Sequence, residues 1–314
     1  MAIAVLMSTY NGEKYVKEQI NSIISQNLRE TIHLYIRDDG SSDDTIRIIE
    51  KYASDYGNII FINRERIDNV GIQKSFLSLL EYAFNNSENN YFAFADQDDV
   101  WLSDKLSAGL QKIEAVQHGE RGILYYSNKT FTDEMLNVLR KEDILYYDDI
   151  FEMLWKNLAS GCTMIFDRNL AEICLKYKPE TTILHDSWVY HIAKLIGSVI
   201  VFDKESYILY RQHGNNTVGI EGAKLYHSSI MYMLKRAVPV LFLKRNHTKQ
   251  RYIEEVYLKY GSLISEQNRK IVENIIKYRF NPMAKFKLIH NQFMKKRDRK
   301  TRMVWRYSIL FNRI

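Results

Sequence analysis

The sequence predicts an α/β fold: a mostly parallel, Rossmann-like sheet flanked by helices, followed by a basic helical extension. Three observations carry this expectation. Short apolar runs alternate with stretches of helical periodicity over roughly the first hundred residues. Polar or acidic loops follow three of those runs, on what would be one edge of the sheet, and ligands bind at that edge in open α/β sheets. The charge then changes sign: residues 1–220 hold 22 Lys and Arg against 32 Asp and Glu, a balance of −10, whereas residues 221–314 hold 22 against 6, a balance of +16.

Residues 3–7 (IAVLM) read as the first strand, 8–12 (STYNG) as a turn, and 13–26 as a helix with Val16, Ile20, Ile23 and Ile24 on one face. Residues 33–37 (HLYIR) form the second strand and run into DDGSSDDT; Ser42 or Asp43 caps the helix marked by Ile46, Ile49 and Tyr52. Residues 59–63 are the third strand, 71–84 the third helix, and Tyr91–Ala95 (YFAFA) the fourth strand. That strand stops at Asp96, Gln97, Asp98 and Asp99. Carboxylates packed this closely repel one another unless a cation joins them, and hard oxygen ligands favour Mg²⁺ or Mn²⁺ over zinc. A solvated Asp-rich turn is the plainer alternative.

Beyond Trp101 the pattern loosens. Residues 104–116 read as a helix, 122–127 as a strand, 144–157 as an irregular aromatic helical stretch, and 160–166 (SGCTMIF) as a buried strand. His185 and Asp186 stand just before a helical pattern on Val189, Ile192 and Leu195, so Asp186 taken alone is an N-cap, an anion stabilised by the helix dipole. Residues 198–202 and 206–210 are two short strands, followed by Arg211, Gln212 and His213.

With 46% hydrophobic residues the chain can build a core. Cys162 and Cys174 offer neither a disulfide framework nor metal-knuckle spacing, which suits a reducing, cytoplasmic setting. The first residues do not read as a leader peptide, and no run approaches the ~18 apolar residues a bilayer span requires. No G-x-G-x-x-G follows the first strand and no P-loop is present, which disfavours dinucleotide and P-loop chemistry.

Taken in order, STYNGEKYVKEQINSIISQ, RDDGSSDDT, NVGIQKSF, ADQDDVWLSDKL, SGCTMIF, HDSWV and YRQHGNN resemble glycosyltransferase family 2, the inverting nucleotide-sugar enzymes of GT-A fold. Within it the likeness is to the bacterial rhamnosyltransferase branch of cell-wall and capsular polysaccharide synthesis. The resemblance covers about residues 1–220, implying donor binding in about 1–105 and an acceptor part in about 106–220. It implies metal-dependent transfer of a sugar, L-rhamnose from dTDP-rhamnose being the donor this branch suggests and UDP the alternative carrier, onto a polysaccharide or lipid-linked saccharide.

The resemblance also implies roles. Thr9 and Tyr10 would hold the base, Glu13 would lie near the ribose, and Asp39 would accept from the pyrimidine ring N–H. Asp38 would be structural. Lys74 would approach the donor or be an ordinary surface lysine. Asp98 would coordinate Mn²⁺ or Mg²⁺, with Asp96 on the ribose or a metal-bound water, and Asp99 either helping or capping the next helix. His213 would add a metal or phosphate contact, and Arg211 would clamp a phosphate. Asp186 would be the general base, oriented by His185. Trp188 and Trp101 would stack on acceptor sugars or fill the core. One base and no covalent nucleophile implies a single displacement with inversion. A nucleotidyltransferase would need a Gly-rich basic loop that is missing here, and Asp98 together with Asp186 argues against a non-catalytic nucleotide-sugar-binding protein.

In the tail, Leu225, Ile230, Met233, Leu234 and Val238 recur at roughly helical spacing, and residues 285–306 interleave Phe286, Ile289, Phe293 and Met294 with lysines and arginines, with Trp305, Tyr307 and Phe311 following. A cationic, aromatic, amphipathic segment suits an anionic membrane surface, placing the protein peripherally on the inner face of the cell membrane. No nucleic-acid-binding fold surrounds the charge. A helical bundle with a solvated basic face, or a homodimer contact, are the alternatives.

Overall fold

The computed structural model describes residues 2–65, 68–117, 119–144, 146, 149–151, 158–214, 248–295, 297 and 299–312. The chain divides into two compact units, Met1–Asp148 with Lys156–Gly214, and Asp149–Trp155 with Asn215–Ile314.

In the first unit, β1 (Ala2–Thr9), α1 (Val16–Ile24), β2 (Thr31–Asp38), α2 (Thr45–Asp55), β3 (Ile59–Phe61), α3 (Ile72–Asn85) and β4 (Tyr91–Ala95) follow the predicted alternation. Then come β5 (Val100–Trp101), α4 (Lys105–Glu114), β6 (Ile123–Thr132), β7 (Val138–Lys141), a 3-10 turn (Gly161–Thr163), β8 (Ile165–Asp167), α5 (Arg168–Leu175), α6 (His185–Ile196) and β9 (Val199–Arg211). The strands form one sheet in the order β3-β2-β1-β4-β8-β6-β9-β5, with β7 paired to β6.

Ile3, Val5 and Met7 join the core cluster with Val16, Ile20 and Ile23 of α1, while Ala4 and Leu6 between them are equally buried. Both faces of β1 are therefore covered, and each large apolar side chain contributes about 2 kcal/mol of burial. In register, β1 pairs parallel with β2 and β4, setting Thr9 opposite Asp38 and Met7 opposite Ala95. The loops after β2, β1 and β4 therefore leave the same edge of three adjacent strands.

The sheet is mixed beyond β4. β8 runs antiparallel to β4 and β6, β9 runs parallel to β6, and β5 is antiparallel to β9. The buried strand expected at 160–166 is instead the 3-10 turn followed by β8. The two short strands expected at 198–202 and 206–210 are one strand, β9, whose pairing with β6 shifts register near Asn128, where the chain absorbs the polar DKES stretch. β5 and β7 were not anticipated: one is two residues long and the other carries four exposed side chains, so neither makes a periodic signal.

The second unit contains α7 (Thr248–Tyr260), α8 (Glu266–Lys277), α9 (Pro282–Ile289), the single turn α10 (Gln292–Lys295) and α11 (Arg299–Leu310). Ser265 and Asn281 cap α8 and α9 by accepting from the Asn268 and Ala284 amides. Trp305 is buried and donates its indole N–H to the Leu288 carbonyl, 2.9 Å. A buried ion pair joins Arg297 to Asp149 at 2.8 Å. The expected division near residue 220, the apolar pattern from Leu225 to Val238 and most of the 144–157 stretch lie outside the described residues. Among the described residues no helix is long and apolar enough to cross a membrane.

Candidate active site

The loops after β1 and β2 are folded into one another. Asp38 is fully buried and accepts from the Thr9 hydroxyl (2.8 Å), the Gly40 and Ser41 amides (3.0 and 2.7 Å) and the Ser41 hydroxyl (2.6 Å). Asn11, in the left-handed region with φ 46°, receives the Ser42 amide on its side-chain oxygen and donates its own amide to Ser41. Glu13 accepts from the Asp44 amide at 2.9 Å. The Thr9 hydroxyl and the Glu13 carboxylate thus have protein partners and shape the loop. Tyr10 is 51% exposed.

Asp39 is buried and braced. Arg37, also buried, donates to its Oδ1 at 2.6 Å, as does the Val70 amide at 2.8 Å, and the Gly71 amide donates to Oδ2 at 2.9 Å. Oδ2 keeps acceptor capacity for an external N–H. Lys74 lies on the first turn of α3 with its side chain exposed.

At the end of β4, Asp98 Oδ2 lies 2.7 Å from His213 Nε2. One carboxylate oxygen and one imidazole nitrogen at this spacing fit adjacent positions around a six-coordinate ion, which sit about 3 Å apart when the bonds are about 2.1 Å. Asp99 is fully buried; its Oδ1 accepts from the Arg211 amide at 3.2 Å and its Oδ2 has no hydrogen-bond partner among the described residues. Burial, then Asp98 and Asp186, pushes the Asp96 carboxyl up to about 7, and burial with Asp98 and Asp96 raises Asp99 well above the carboxylate range. This concentration of acids, including an orphaned buried oxygen, is the electrostatic setting a divalent cation relieves. Asp96, Asp99 and Cys162 also bring donor atoms within 4.8 Å of one another, though burial and the two acids raise the Cys162 thiol far above its usual value.

Asp186 is half-buried in the first turn of α6. Its Oδ2 accepts from the Gly161 amide at 3.2 Å and its Oδ1 from the Ser187 amide at 2.5 Å. Gly161 permits this approach: a Cβ there would lie 2.8 Å from His185 Nε2. Asp186 and Asp98 both raise Asp96, and Gly161, which donates to Asp186, precedes Cys162, whose donor atom lies within 4.8 Å of those of Asp96 and Asp99.

Arg211 and His185 depart from their expected roles, and Trp188 and Trp101 take the core role, one of the two that were open. The Arg211 guanidinium is buried and committed to the protein, donating to the Asp98 carbonyl at 2.8 Å, to the Glu134 carbonyl and to the Glu18 carboxylate, so it braces the cleft instead of presenting a phosphate clamp. Trp188 is fully buried and donates to the Cys174 carbonyl at 3.1 Å. Trp101 is buried with Lys105 Nζ 3.7 Å from its ring centroid. Neither tryptophan offers a face to a sugar. His185 is buried too, its ring stacked 3.8 Å from Phe76 and edge-on to Phe94 at 4.6 Å; burial pushes its imidazole down to about 4, so it packs behind Asp186 as a neutral ring.

Three residues of the site were not singled out from the sequence. Gln97 bridges to Tyr10, Arg37 braces Asp39, and Lys129 donates to the Ser160 hydroxyl at 2.6 Å while offsetting the charge of Asp96 and Asp99. Arg37 and Gln97 adjoin motif aspartates, a signal that could have flagged them. Lys129 sits in β6 with no local mark.

The Shigella flexneri protein "dTDP-rhamnosyl transferase RfbG" is 29% identical over 228 residues, covering 68% of this chain and 73% of that one. The crystal structure of S. aureus TarS in complex with UDP-GlcNAc aligns with a TM-score of 0.53 at 17% identity, covering 98% of this chain and 90% of that chain. The mannosyltransferase PcManGT from Pyrobaculum calidifontis, in complex with GDP-Man and Mn²⁺, aligns with a TM-score of 0.50 at 11% identity, covering 99% and 88%. These two likenesses bear on the fold, which is of the GT-A kind. Residues 4–173, just over half of the chain, match the family described as Glycosyl transferase family 2, so this chain belongs to glycosyltransferase family 2 and is a glycosyltransferase.

Proposed function

We propose that the protein transfers a sugar from a pyrimidine nucleotide donor, dTDP-L-rhamnose by its likeness to the Shigella enzyme, to a saccharide or lipid-linked saccharide by a metal-dependent single displacement. The observation that carries the reading is geometric: Asp98 meets His213 just after β4, and Asp186 accepts from Gly161, whose neighbour Cys162 has its donor atom within 4.8 Å of those of Asp96 and Asp99. Asp98 and His213 would hold Mn²⁺ or Mg²⁺, and a cation bound there would supply positive charge to the donor diphosphate and its leaving group. Tyr10 stacks on the base and Asp39 Oδ2 accepts its ring N–H, with Arg37 keeping that carboxylate in place. Asp96 faces the ribose. Lys74, exposed on the first turn of α3, is the lysine we would place near the donor.

Asp186 takes the proton from the acceptor hydroxyl as the oxygen attacks the anomeric carbon. The new bond forms on the face opposite the departing phosphate oxygen, so the configuration inverts. Gly161 and Ser187 amides hold Asp186 as an acceptor, and His185 packs behind it. A panel of sugar nucleotides, scored for turnover with and without chelator, tests the reading. Turnover of dTDP-rhamnose above the other donors, lost on chelation and restored by Mn²⁺, is expected; turnover unaffected by chelator would overturn the metal assignment.

We also propose that the second unit rests on an anionic membrane surface. On α9, Ala284 and Leu288 face inward, while Met283 (60% exposed) and Phe286 (58%) share the outer face with Lys287, and Phe280 (86%) precedes the helix. Residues 279–306 carry ten Lys or Arg and one acid, which complements anionic headgroups, while exposed aromatics suit the interface. Sedimentation with anionic vesicles should be lost in F280A/M283A/F286A. Equal partition of this variant would end the idea, and a shift in oligomeric state instead would reassign the face to a dimer contact.

A further inference from the structure

The side chain of Gln97 reaches from the loop after β4 to the loop after β1. Its Oε1 accepts from the Tyr10 amide and its Nε2 donates to the Tyr10 carbonyl, each at 2.9 Å. One carboxamide thereby pairs both main-chain polar groups of Tyr10, as a neighbouring strand would. The space it occupies is reserved by Gly12, where a Cβ would lie 2.2 Å from Gln97 Oε1. Gly12 in turn donates its amide to Thr45 at 2.7 Å, so the loop is held from the other side by α2.

This pairing matters because Tyr10 is about half exposed and belongs to no buried core cluster among the described residues. Its orientation depends on its backbone, and Gln97 fixes that backbone to the segment that carries Asp96 and Asp98. We infer that Gln97 is a positioning residue that locks the base-binding loop to the metal-bearing loop, so that the two ends of the nucleotide site are held as one piece. The inference rests on the donor site proposed above. Preordering of this kind lowers the entropic cost of binding a ligand that spans both loops.

The test is calorimetric titration of dTDP and of UDP, each with Mn²⁺, into wild type, Gln97→Ala, Gly12→Ala and the double variant. Gln97→Ala removes both hydrogen bonds, and Gly12→Ala displaces the same carboxamide from its seat. Each single variant should weaken the better nucleotide about tenfold, and the double variant should weaken it no more than either alone, because both remove one latch. In turnover with the accepted donor, the donor KM should rise with kcat nearly unchanged. Losses that multiply in the double variant, or binding equal to wild type in Gln97→Ala, would overturn the latch while leaving the donor site standing. A thermal unfolding midpoint that falls in step with affinity would make Gln97 merely structural and also overturn it. Wild type that binds neither nucleotide would overturn the donor site itself, and the latch with it.

Discussion

Asp98 Oδ2 and His213 Nε2 lie 2.7 Å apart although 115 positions separate them in sequence, because β5, which follows Asp99 directly, pairs antiparallel with β9, setting Val100 opposite Leu209. Arg211 holds that meeting together. Its amide donates to Asp99, its Nε to the Asp98 carbonyl, and two residues later the chain delivers His213 to the Asp98 carboxylate. Asp98 and His213 are the pair we propose would hold the cation, and that proposal predicts separable behaviour of its two members.

Asp98→Ala should raise the Mn²⁺ concentration needed for half-maximal turnover by about tenfold or more, and His213→Ala should do so by a comparable or smaller factor, since either change removes one protein ligand. Turnover against Mn²⁺ at saturating donor checks this. An unchanged metal requirement in both variants would remove the pair from the metal site.

Arg37→Met should destabilise the protein by about 3–5 kcal/mol and weaken dTDP binding, because it strips a guanidinium from two acids, one of them the buried Asp39. Thermal unfolding with a nucleotide titration measures both. Adding Asp39→Asn should recover part of the stability without recovering the nucleotide, since the amide cannot reproduce the same set of acceptors.

Much of this was legible in the sequence because it is local. The apolar run Tyr91–Ala95 and its abrupt stop at Asp96 mark a strand end whatever the rest of the chain does, and the loops after residues 7 and 37 say the same of β1 and β2. What stayed hidden is what depends on distant partners. Trp188 looks like a sugar platform beside Asp186, yet α6 is buried on nearly every side, so helical periodicity could not mark which face carries the tryptophan. Arg211 next to His213 reads as a phosphate ligand until Glu18 and Glu134 are found to have taken its donors. The antiparallel β8 and two-residue β5 are too short to announce their direction.

The buried imidazole of His185 makes an acid-sensitive contribution. Its ordinary value is 6.5 and burial lowers it to about 4, so between these values the unfolded chain binds the extra proton. This contribution to stability is therefore full above pH 6.5 and is lost as pH falls toward 4, amounting to about 3 kcal/mol. Asp96, raised to about 7, has the opposite sign over an overlapping range, so the comparison must be with a variant. Unfolding of His185→Phe between pH 7 and 4.5 should show a smaller acid loss than wild type. Parallel curves would mean the imidazole is protonated in the fold.

Asp186 is the residue we propose as the base that readies the acceptor while other residues hold the donor. In Asp186→Asn, the rate of sugar transfer from the accepted donor should fall by about 10²–10⁴ while calorimetric affinity for dTDP with Mn²⁺ stays within about twofold of wild type. Transfer at the wild-type rate with nucleotide binding intact would contradict it.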